Sequence, residues 1–324
     1  MRVVIPAAGI GKRLRPHTHT VPKVLLRLAG KPMLGHIMDL LDGFDISEIV
    51  FVIGYKSELV KQYLQQNYSQ YNLKFIYQQK RLGLGHAIYS TGVSDEDTLI
   101  ILGDTIFRAD LSRVIESGKN SIGVAEVEDP RRFGVVQLDK DGKVSRLVEK
   151  PAHPPTNLAV VGVYYLKDYD LLGKALNQII SENIKSSGEY QLTDALQLMV
   201  DEGTEFSTFP IVKWLDCGKP ETMLETQKVL LNENSQEVNI PGSIIIPPVY
   251  VSPNTQVENS VLGPYVDIAS GCRIKNCVLS NAIIGEDAVV ENAVLQKSIV
   301  GNEVVYCLRP VEINLGDGSQ IISS

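Results

Sequence analysis

A repeat in the last quarter of the chain constrains the fold more than any other feature of the sequence. From residue 244 onward, apolar residues recur in steps of five or six, and Gly, Asn, Ser and Asp fill the gaps. A repeat of this period is the hexapeptide signature of a parallel β-helix, whose short strands each supply one inward side chain. About three coils fit if each uses about three strands, although a sandwich of short strands is an alternative. The recurring positions are Val251, Val257, Leu262, Ile268, Ile274, Leu279, Ile284, Val290, Leu295, Val300 and Val305.

The first 231 residues follow another pattern, in which continuous apolar runs alternate with helical spacings. Runs at 2–6, 49–53, 73–77 and 99–102 predict buried strands of a Rossmann-like, mostly parallel sheet covered on both faces. We therefore expect an α/β domain over 1–231, a linker over 232–243 and a β-helix domain over 244–324. Helices are predicted at 32–41, 56–68, 85–91, 168–182, 190–201 and 220–231, and further strands at 122–127, 134–138, 144–148, 159–166 and 206–215.

Bulk properties narrow the class of protein. The 324 residues carry 31 basic and 38 acidic side chains, a net charge of −7, which argues against general nucleic-acid binding. No apolar run reaches membrane-spanning length, and Met1 leads directly into a strand pattern without a signal peptide. The cysteines at 217, 272, 277 and 307 lack C-x-x-C spacing. We expect a cytoplasmic protein with reduced thiols and no membrane or nucleic-acid partner.

The first predicted strand runs into the segment Ala7-Ala8-Gly9-Ile10-Gly11-Lys12-Arg13-Leu14-Arg15-Pro16, and Lys23 follows on the next loop. Small residues let a backbone approach a ligand closely, and Lys and Arg can neutralise phosphates. The segment is not a P-loop, because Gly11-Lys12 is followed by Arg13 rather than Ser or Thr. It is not a dinucleotide fingerprint either, because Leu14 holds the place of the third glycine. Either a polyphosphate site or a plain glycine-rich turn fits this segment taken alone.

Two aspartates stand at the ends of predicted strands. Asp104 follows Leu102-Gly103, and Asp216 follows Trp214-Leu215. An aspartate at such a position is often a turn or helix cap. Two of them beside a phosphate-type loop could instead bind Mg²⁺, which prefers oxygen ligands and substrate phosphates.

Taken in order, these motifs resemble the sugar nucleotidyltransferase family, also called nucleoside-diphosphate-sugar pyrophosphorylases. The signature G-x-G-x-R-L-x-P…P-K is matched from Gly9 to Lys23, although Ala8 replaces the first residue of the usual Gly-Gly pair. Later segments continue the resemblance to about residue 231. They are Phe133–Asp139, Glu149–Pro151, Ala159–Tyr164, Glu189–Gln197 and Asp216–Pro220, and they look most like the long form of glucose-1-phosphate thymidylyltransferase, with a left-handed β-helix.

The resemblance implies the reaction NTP plus sugar-1-phosphate to NDP-sugar plus pyrophosphate, with dTTP and glucose-1-phosphate favoured. It implies that Arg13 and Lys23 act on the phosphates and that Asp104 and Asp216 hold a catalytic Mg²⁺. The implied nucleotide-binding residues are Ala7, Ala8, Gly9, Gly11, Lys12, Arg13, Gln78, Gly83 and Asp104, and the implied sugar-phosphate residues are Gly134, Glu149, Lys150 and Gly162.

Several alternatives stay open. The Gly-Leu-Gly-His-Ala segment at 83–87 also resembles UTP-using relatives, and GTP-using mannose-1-phosphate relatives also carry a C-terminal β-helix. Gln79 is a near-equal candidate to Gln78 for reading the base. His86 is expected to pack its helix rather than act as a base or ligand. A hexapeptide acyltransferase is disfavoured because all five histidines precede the β-helix. A non-catalytic regulatory subunit is disfavoured by the intact motif residues. We expect a homo-oligomer formed through the β-helix, and the tail from Tyr306 to Ser324 has no predicted role.

Overall fold

A computed structural model describes residues 1–234 and 237–309. The chain divides into two compact units. The first unit comprises Met1–Leu26 and Lys31–Thr226, and the second comprises Arg27–Gly30 and the chain from Gln227 onward. Within the described residues, no helix combines the length and apolar character needed to cross a membrane.

The helices and strands are numbered along the described chain. The helices are α1 (Met33–Asp39), α2 (Ser57–Asn67), α3 (Leu84–Tyr89), α4 (Leu111–Glu116), α5 (Tyr169–Ser181), α6 (Leu192–Asp201) and α7 (Pro220–Glu233). The strands up to residue 216 are β1 (Arg2–Pro6), β2 (Arg27–Leu28), β3 (Lys31–Pro32), β4 (Glu48–Ile53), β5 (Leu73–Tyr77), β6 (Thr98–Ile101), β7 (Thr105–Arg108), β8 (Ser121–Glu126), β9 (Gly134–Leu138), β10 (Val144–Glu149), β11 (Leu158–Leu166), β12 (Ser207–Pro210) and β13 (Lys213–Asp216).

The first unit is built on a sheet with the order β10-β9-β11-β6-β1-β4-β5, and β8 and β12 extend it beside β11. Strands β6, β1, β4 and β5 are parallel. The apolar side chains of β1, β4 and β6 are almost fully buried, because the sheet carries a hydrophobic core on each face. Strand β11 runs antiparallel to β6, β8 and β9, so the sheet is mixed, and the parallel strands β6, β1, β4 and β5 form one end of it.

Several details differ from the sequence-based expectation, and the short strands β2 and β3 are among the elements that were not predicted. The single strand predicted over 206–215 is two strands, because β12 pairs with β8 while β13 joins β7 in a separate two-stranded sheet. Strand β7 and helix α4 were not predicted, since each is short and β7 depends on a partner more than 100 residues away in sequence. Helix α7 continues to Glu233, two residues into the predicted linker.

The second unit is a parallel β-helix. Its strands are β14 (Ile244–Ile245), β15 (Val249–Val251), β16 (Gln256–Glu258), β17 (Val261–Leu262), β18 (Val266–Ile268), β19 (Arg273–Lys275), β20 (Val278–Ile284), β21 (Val289–Glu291), β22 (Val294–Val300) and β23 (Val305–Cys307). Successive coils align in parallel register, as Val257 with Ile274 and then Val290 show, so one coil spans 16 or 17 residues. This spacing equals three steps of five or six residues. The predicted repeat is confirmed.

One position of the predicted repeat is wrong. Tyr306, and not Val305, continues the register of Val290, and Val305 is 71% exposed. The last step, from Val300, is therefore six residues long. The preceding repeat positions from Leu262 to Val290 are fully buried.

A buried ion pair joins Arg27–Gly30 to the rest of the second unit. The Asp267 carboxylate is fully buried and accepts hydrogen bonds from Arg27 Nε at 3.0 Å and from the Gly30 backbone N–H at 3.0 Å. Arg27 also donates through Nη2 to Ser252 Oγ at 2.7 Å, and its guanidinium lies 5.2 Å from the ring centre of Tyr250. Both oxygens of the buried carboxylate thus accept a hydrogen bond, which is a condition for tolerating buried charge.

Candidate active site

The carboxyl ends of the parallel strands β6, β1, β4 and β5 bring the predicted loops together. Ala7 directly follows β1 and donates its N–H to the Val52 carbonyl of β4 at 2.7 Å. Gln78 directly follows β5 and donates its N–H to Ile53 at 2.8 Å. Gly103, one residue before Asp104, donates to Pro6 at 3.0 Å. Segments far apart in sequence are therefore tied together by backbone hydrogen bonds at these strand ends.

A cavity of about 420 Å³ opens at these strand ends, and we call it the loop cavity. Seven of the predicted nucleotide-binding or catalytic residues contribute to its wall. It is lined by Pro6, Ala7, Ala8, Gly9, Lys23, Val24, Gln78, Arg81, Gly83, Leu84, Ala87, Leu102, Asp104 and Glu189. Lys12 and Arg13 are exposed on the neighbouring 3₁₀ turn at Lys12–Leu14.

Lys23 and Asp104 form an ion pair in the wall of the loop cavity. Lys23 Nζ lies 2.6 Å from Asp104 Oδ2, and the lysine side chain is 11% exposed while the aspartate is 43% exposed. A Cβ atom on Gly11 would lie only 2.9 Å from Lys23 Cβ, so the glycine makes room for the lysine stem. The loop thus presents a mostly buried ammonium group whose partner still reaches solvent.

Asp216 and Arg13 lie beside this pair. Strand β13 pairs with β7 so that Asp216 stands opposite Thr105, the residue after Asp104. A Cβ atom on Gly218 would lie 2.9 Å from Asp216 Oδ1 and 3.1 Å from an Arg13 guanidinium nitrogen. Because both groups border the same glycine, the structure brings the two predicted catalytic carboxylates and Arg13 into one region.

Buried Cys217 lies close enough to the same charged groups for their charges to shift the pKa of its thiol. Burial raises the pKa of its thiol to about 12, the charges of Asp216 and Asp104 also raise it, and a hydrogen bond with Thr226 and the charge of Lys23 lower it. The thiol is therefore protonated and unreactive at neutral pH.

Asp104 and Asp216 offer carboxylate oxygens, the kind of ligand that Mg²⁺ prefers. Asp216 Oδ1 accepts the Gly218 N–H at 2.8 Å and Asp104 Oδ2 accepts Lys23, and no described residue donates a hydrogen bond to the second oxygen of either carboxylate. Among the described residues, no group of three or more His, Cys, Asp or Glu side chains could hold a metal without help. Mg²⁺ commonly takes one or two carboxylates together with substrate phosphates and water, so two aspartates suit it.

Gln78, rather than Gln79, faces the loop cavity. Gln78 is 7% exposed and lines the cavity, whereas Gln79 is exposed outside it. The Gln78 amide nitrogen lies 3.2 Å from His86 Nδ1 and donates to the Gly83 carbonyl at 3.4 Å. His86 therefore holds a loop side chain, a contact that periodicity along α3 does not reveal.

A second cluster gathers the predicted sugar-side residues, and we call it the Glu149 cluster. Gly134 stands opposite Glu149 in the β9–β10 pair. Glu149 accepts a hydrogen bond from Thr193 Oγ1 at 2.8 Å and lies 3.1 Å from Lys150 Nζ. The glutamate side chain is 9% exposed and the lysine 44%, so only the lysine reaches well into solvent. Gly162 lies apart from the cluster, against Leu102 of the loop cavity.

Three polar residues of these two groups were not predicted as site residues. Arg81 and Glu189 line the loop cavity, and Thr193 holds Glu149. Their placement depends on Tyr190, which donates its N–H to Leu82 at 2.8 Å and accepts from Gly85 at 2.9 Å. In the sequence, the resemblance of the segment 189–197 to the family was the one sign of this placement. Local periodicity does not link residue 190 to residue 82.

The first unit and the β-helix match two families. Residues 2–233 match the Nucleotidyl transferase family, and residues 226–306 match the GlmU-like C-terminal hexapeptide family. A Haloferax volcanii protein named low-salt glycan biosynthesis nucleotidyltransferase Agl11 is 37% identical over 72% of this chain and 67% of its own length. A Streptomyces antibioticus glucose-1-phosphate thymidylyltransferase is 28% identical over 94% of this chain and 93% of its own length.

Other relatives carry other names. Haloferax volcanii AglF, named UTP–glucose-1-phosphate uridylyltransferase, is 32% identical over 73% of this chain and 99% of its own length. A solved UDP-glucose pyrophosphorylase in complex with UDP-glucose superposes with a TM-score of 0.62 at 23% identity, over 72% of this chain and 99% of that one, and so supports the fold alone. The predicted fold class is confirmed, and the chain belongs to the sugar-1-phosphate nucleotidyltransferases, with a GlmU-like hexapeptide domain at its C-terminal end.

Proposed function

We propose that the protein transfers a thymidylyl group from dTTP to glucose-1-phosphate and releases pyrophosphate. The observation that carries the proposal is the convergence of Lys23, Asp104 and Gln78 on one cavity at the ends of the parallel strands. The choice of dTTP is supported by the Streptomyces antibioticus thymidylyltransferase, which matches both units of the chain.

In the proposed reaction, a phosphate oxygen of glucose-1-phosphate attacks the α-phosphorus in line. A bond from that oxygen to phosphorus forms, the bond to the β-phosphate oxygen breaks, and pyrophosphate leaves with the electron pair. The negative charge is redistributed over phosphate oxygens, so positioning and charge neutralisation supply most of the catalysis.

The phosphate groups are assigned to the cations beside the loop. Lys23 neutralises charge near the α-phosphate, because its ammonium is mostly buried at the cavity wall. Arg13 neutralises the β- and γ-phosphates and the departing pyrophosphate from the exposed turn, and the backbone around Gly9 and Gly11 follows the phosphate chain. Asp104 and Asp216 hold Mg²⁺, which when bound neutralises the phosphate oxygens and organises them for displacement.

The sugar phosphate is assigned to the Glu149 cluster. Lys150 pairs with its phosphate, and Glu149 accepts a hydrogen bond from a sugar hydroxyl. Thr193 already donates to Glu149 Oε2, so the carboxylate is fixed before a sugar arrives. Gly134 leaves space for the sugar ring, and Gly162 supports Leu102 in the cavity wall.

UTP is the second candidate nucleotide. AglF is named for UTP, and thymine and uracil present the same hydrogen-bonding groups at their pairing edges, differing in the 5-methyl group. Gln78 therefore separates these two bases poorly. Assembly of several copies through the β-helix remains part of the proposal.

A substrate screen tests the proposal. Pyrophosphate release is measured with dTTP, UTP, GTP, CTP and ATP, each paired with glucose-1-phosphate or mannose-1-phosphate. We expect the highest kcat/KM for dTTP with glucose-1-phosphate, and a loss of about 10³-fold in Asp216→Ala. A higher kcat/KM for UTP than for dTTP would show that UTP is the preferred nucleotide. Unchanged turnover in Asp216→Ala would contradict the proposed site. Acetyl-CoA consumption without pyrophosphate release would favour an acyltransferase.

A further inference from the structure

The side-chain amide of Gln78 is held in one of its two orientations. Its nitrogen lies within hydrogen-bond distance of both the Gly83 carbonyl and His86 Nδ1. The Gly83 carbonyl can only accept, so the amide group beside it must be the N–H₂ end. Among the described residues, none donates a hydrogen bond to Gln78 Oε1.

The two acceptors are themselves fixed. The Gly83 carbonyl also accepts the Ala87 N–H of α3 at 3.1 Å. Burial, followed by the charge of Lys80, lowers the pKa of His86 below its ordinary value of 6.5. The imidazole is therefore neutral at pH 7, and with its proton on Nε2 it can accept a hydrogen bond through Nδ1.

The orientation of this amide decides which base edge fits. Gln78 lines the loop cavity, and with its nitrogen engaged it has an acceptor left for a ligand. Uracil and thymine carry a ring N3–H, which is a donor, whereas the N3 of cytosine is an acceptor. An oxygen facing N3 therefore favours uracil and thymine, and a site with a fixed acceptor rejects a ring that lacks the donor.

We propose that His86 is a positioning residue that orients the Gln78 amide so that its oxygen selects bases with a ring N–H. This inference rests on the proposed nucleotidyl transfer and adds a specificity determinant to it. His86 acts through Gln78, and its own contact with the nucleotide is not required.

Two substitutions separate hydrogen bonding from packing. His86→Leu keeps a side chain of similar size on α3 but removes the acceptor. His86→Asn places an amide oxygen near the position of Nδ1 and restores the acceptor. Gln79→Leu is the matched control, because it alters the neighbouring exposed amide of the same loop.

The measurement is kcat/KM for UTP, dTTP and CTP, each with glucose-1-phosphate, by pyrophosphate release. In His86→Leu we expect the ratio of UTP to CTP to fall by about tenfold, since only the longer hydrogen bond to the Gly83 carbonyl, at 3.4 Å, then opposes turning the amide nitrogen toward cytosine. His86→Asn should restore most of the ratio, and Gln79→Leu should leave it within about twofold of wild type.

The outcomes separate the two proposals. An unchanged ratio in His86→Leu overturns the role of His86, and so does an equal fall in the Leu and Asn variants, which indicates packing. If the wild-type protein turns over no nucleotide, the proposed function fails. Calorimetric affinities for UTP and CTP in the same variants then decide whether His86 still sets base preference.

Discussion

Lys23 and Arg27 are four residues apart in sequence, and each forms an ion pair with an aspartate. The two aspartates differ in their exposure to solvent. Lys23 pairs at 2.6 Å with Asp104, which is 43% exposed at the wall of the loop cavity. Arg27 pairs at 3.0 Å with Asp267, which is fully buried in the second unit. Asp104 keeps an oxygen for other partners, whereas both oxygens of Asp267 accept hydrogen bonds from protein groups.

The difference separates a binding pair from a structural pair. A buried ammonium with an exposed partner can exchange that partner for a phosphate, because the carboxylate regains water when the lysine moves away. A fully buried and fully matched carboxylate has no such exchange, since removing one partner leaves uncompensated charge in the interior. Lys23 should therefore matter to activity, and Asp267 to stability.

The largest effect is expected from Lys23→Ala. We expect kcat/KM to fall by about 10³-fold, because one positioned charge opposite the reacting phosphate is lost. The free energy of unfolding should change by less than about 1 kcal/mol, since Asp104 can be hydrated. Pyrophosphate release and urea unfolding give the two quantities.

Lys31→Ala is the matched control for this experiment. Lys31 forms an ion pair with Asp39 of the same 2.6 Å length, with both side chains 43% exposed. The control should retain activity within about twofold. Equal activity losses in the two variants would show that the position of Lys23 has no special role.

A smaller effect, on stability alone, is expected from Asp267→Ala. The substitution leaves Arg27 and the Gly30 N–H without their acceptor, so the free energy of unfolding should fall by about 3 kcal/mol. Asp267→Asn keeps one acceptor oxygen and should lose less. Urea unfolding followed by circular dichroism measures the free energy of unfolding of both variants. An unchanged value in Asp267→Ala would contradict a structural role for this ion pair.

Alanine substitution of two glycines, one in each unit, is expected to have a smaller effect than Asp267→Ala. Gly83 has φ +114° and would direct a Cβ into the Tyr190 carbonyl, while Gly263 has φ +110° and would direct one into the Ile246 carbonyl. An alanine at either position costs about 2 kcal/mol of strain. Gly83→Ala should lower kcat/KM by about 30-fold.

Gly263→Ala should lower the free energy of unfolding instead, with kcat/KM within about twofold of wild type. Steady-state kinetics and urea unfolding on both variants separate the two effects. A loss of activity in Gly263→Ala with unchanged stability would contradict the expectation that this glycine affects stability and Gly83 affects activity.

The smallest effect concerns thiol reactivity. Cys217, Cys272 and Cys277 are buried, Cys307 is exposed, and burial raises the pKa of each buried thiol. A disulfide reagent should therefore label one cysteine rapidly in the native protein. Asp267→Ala should accelerate labelling of Cys272, whereas Lys23→Ala should not. Mass spectrometry of the labelled peptides identifies the site, and equal acceleration in both variants would count against a local role for Asp267.

The parts of the fold that rest on local pattern could be predicted. The central strands are continuous apolar runs, and β5 and β9 have the predicted bounds. Strand β7 could not be predicted, because four residues after Asp104 become a strand through pairing with β13. The end of the β-helix repeat was misplaced by one residue, since steps of five and six give no rule for the last interval.

The site divides in the same way. The glycine loop and Asp104 are local consequences of strands that end at one edge of a sheet, so the sequence sufficed to place them. Gln78 could not be separated from Gln79 by sequence, because burial decides between neighbouring identical residues. Thr193 and Glu189 depend on the contact of Tyr190 with the loop after β5, and such contacts leave no periodic signal.

That contact bears on how specificity can be changed. Tyr190 donates to Leu82 and accepts from Gly85, and Glu189 and Thr193 on either side of it belong to the loop cavity and the Glu149 cluster. Because these hydrogen bonds join backbone atoms, a loop at 78–85 imported from a relative keeps them only where its backbone follows the same path. Recombination should therefore exchange that loop together with 189–193, so that nucleotide preference and sugar preference are inherited as one block.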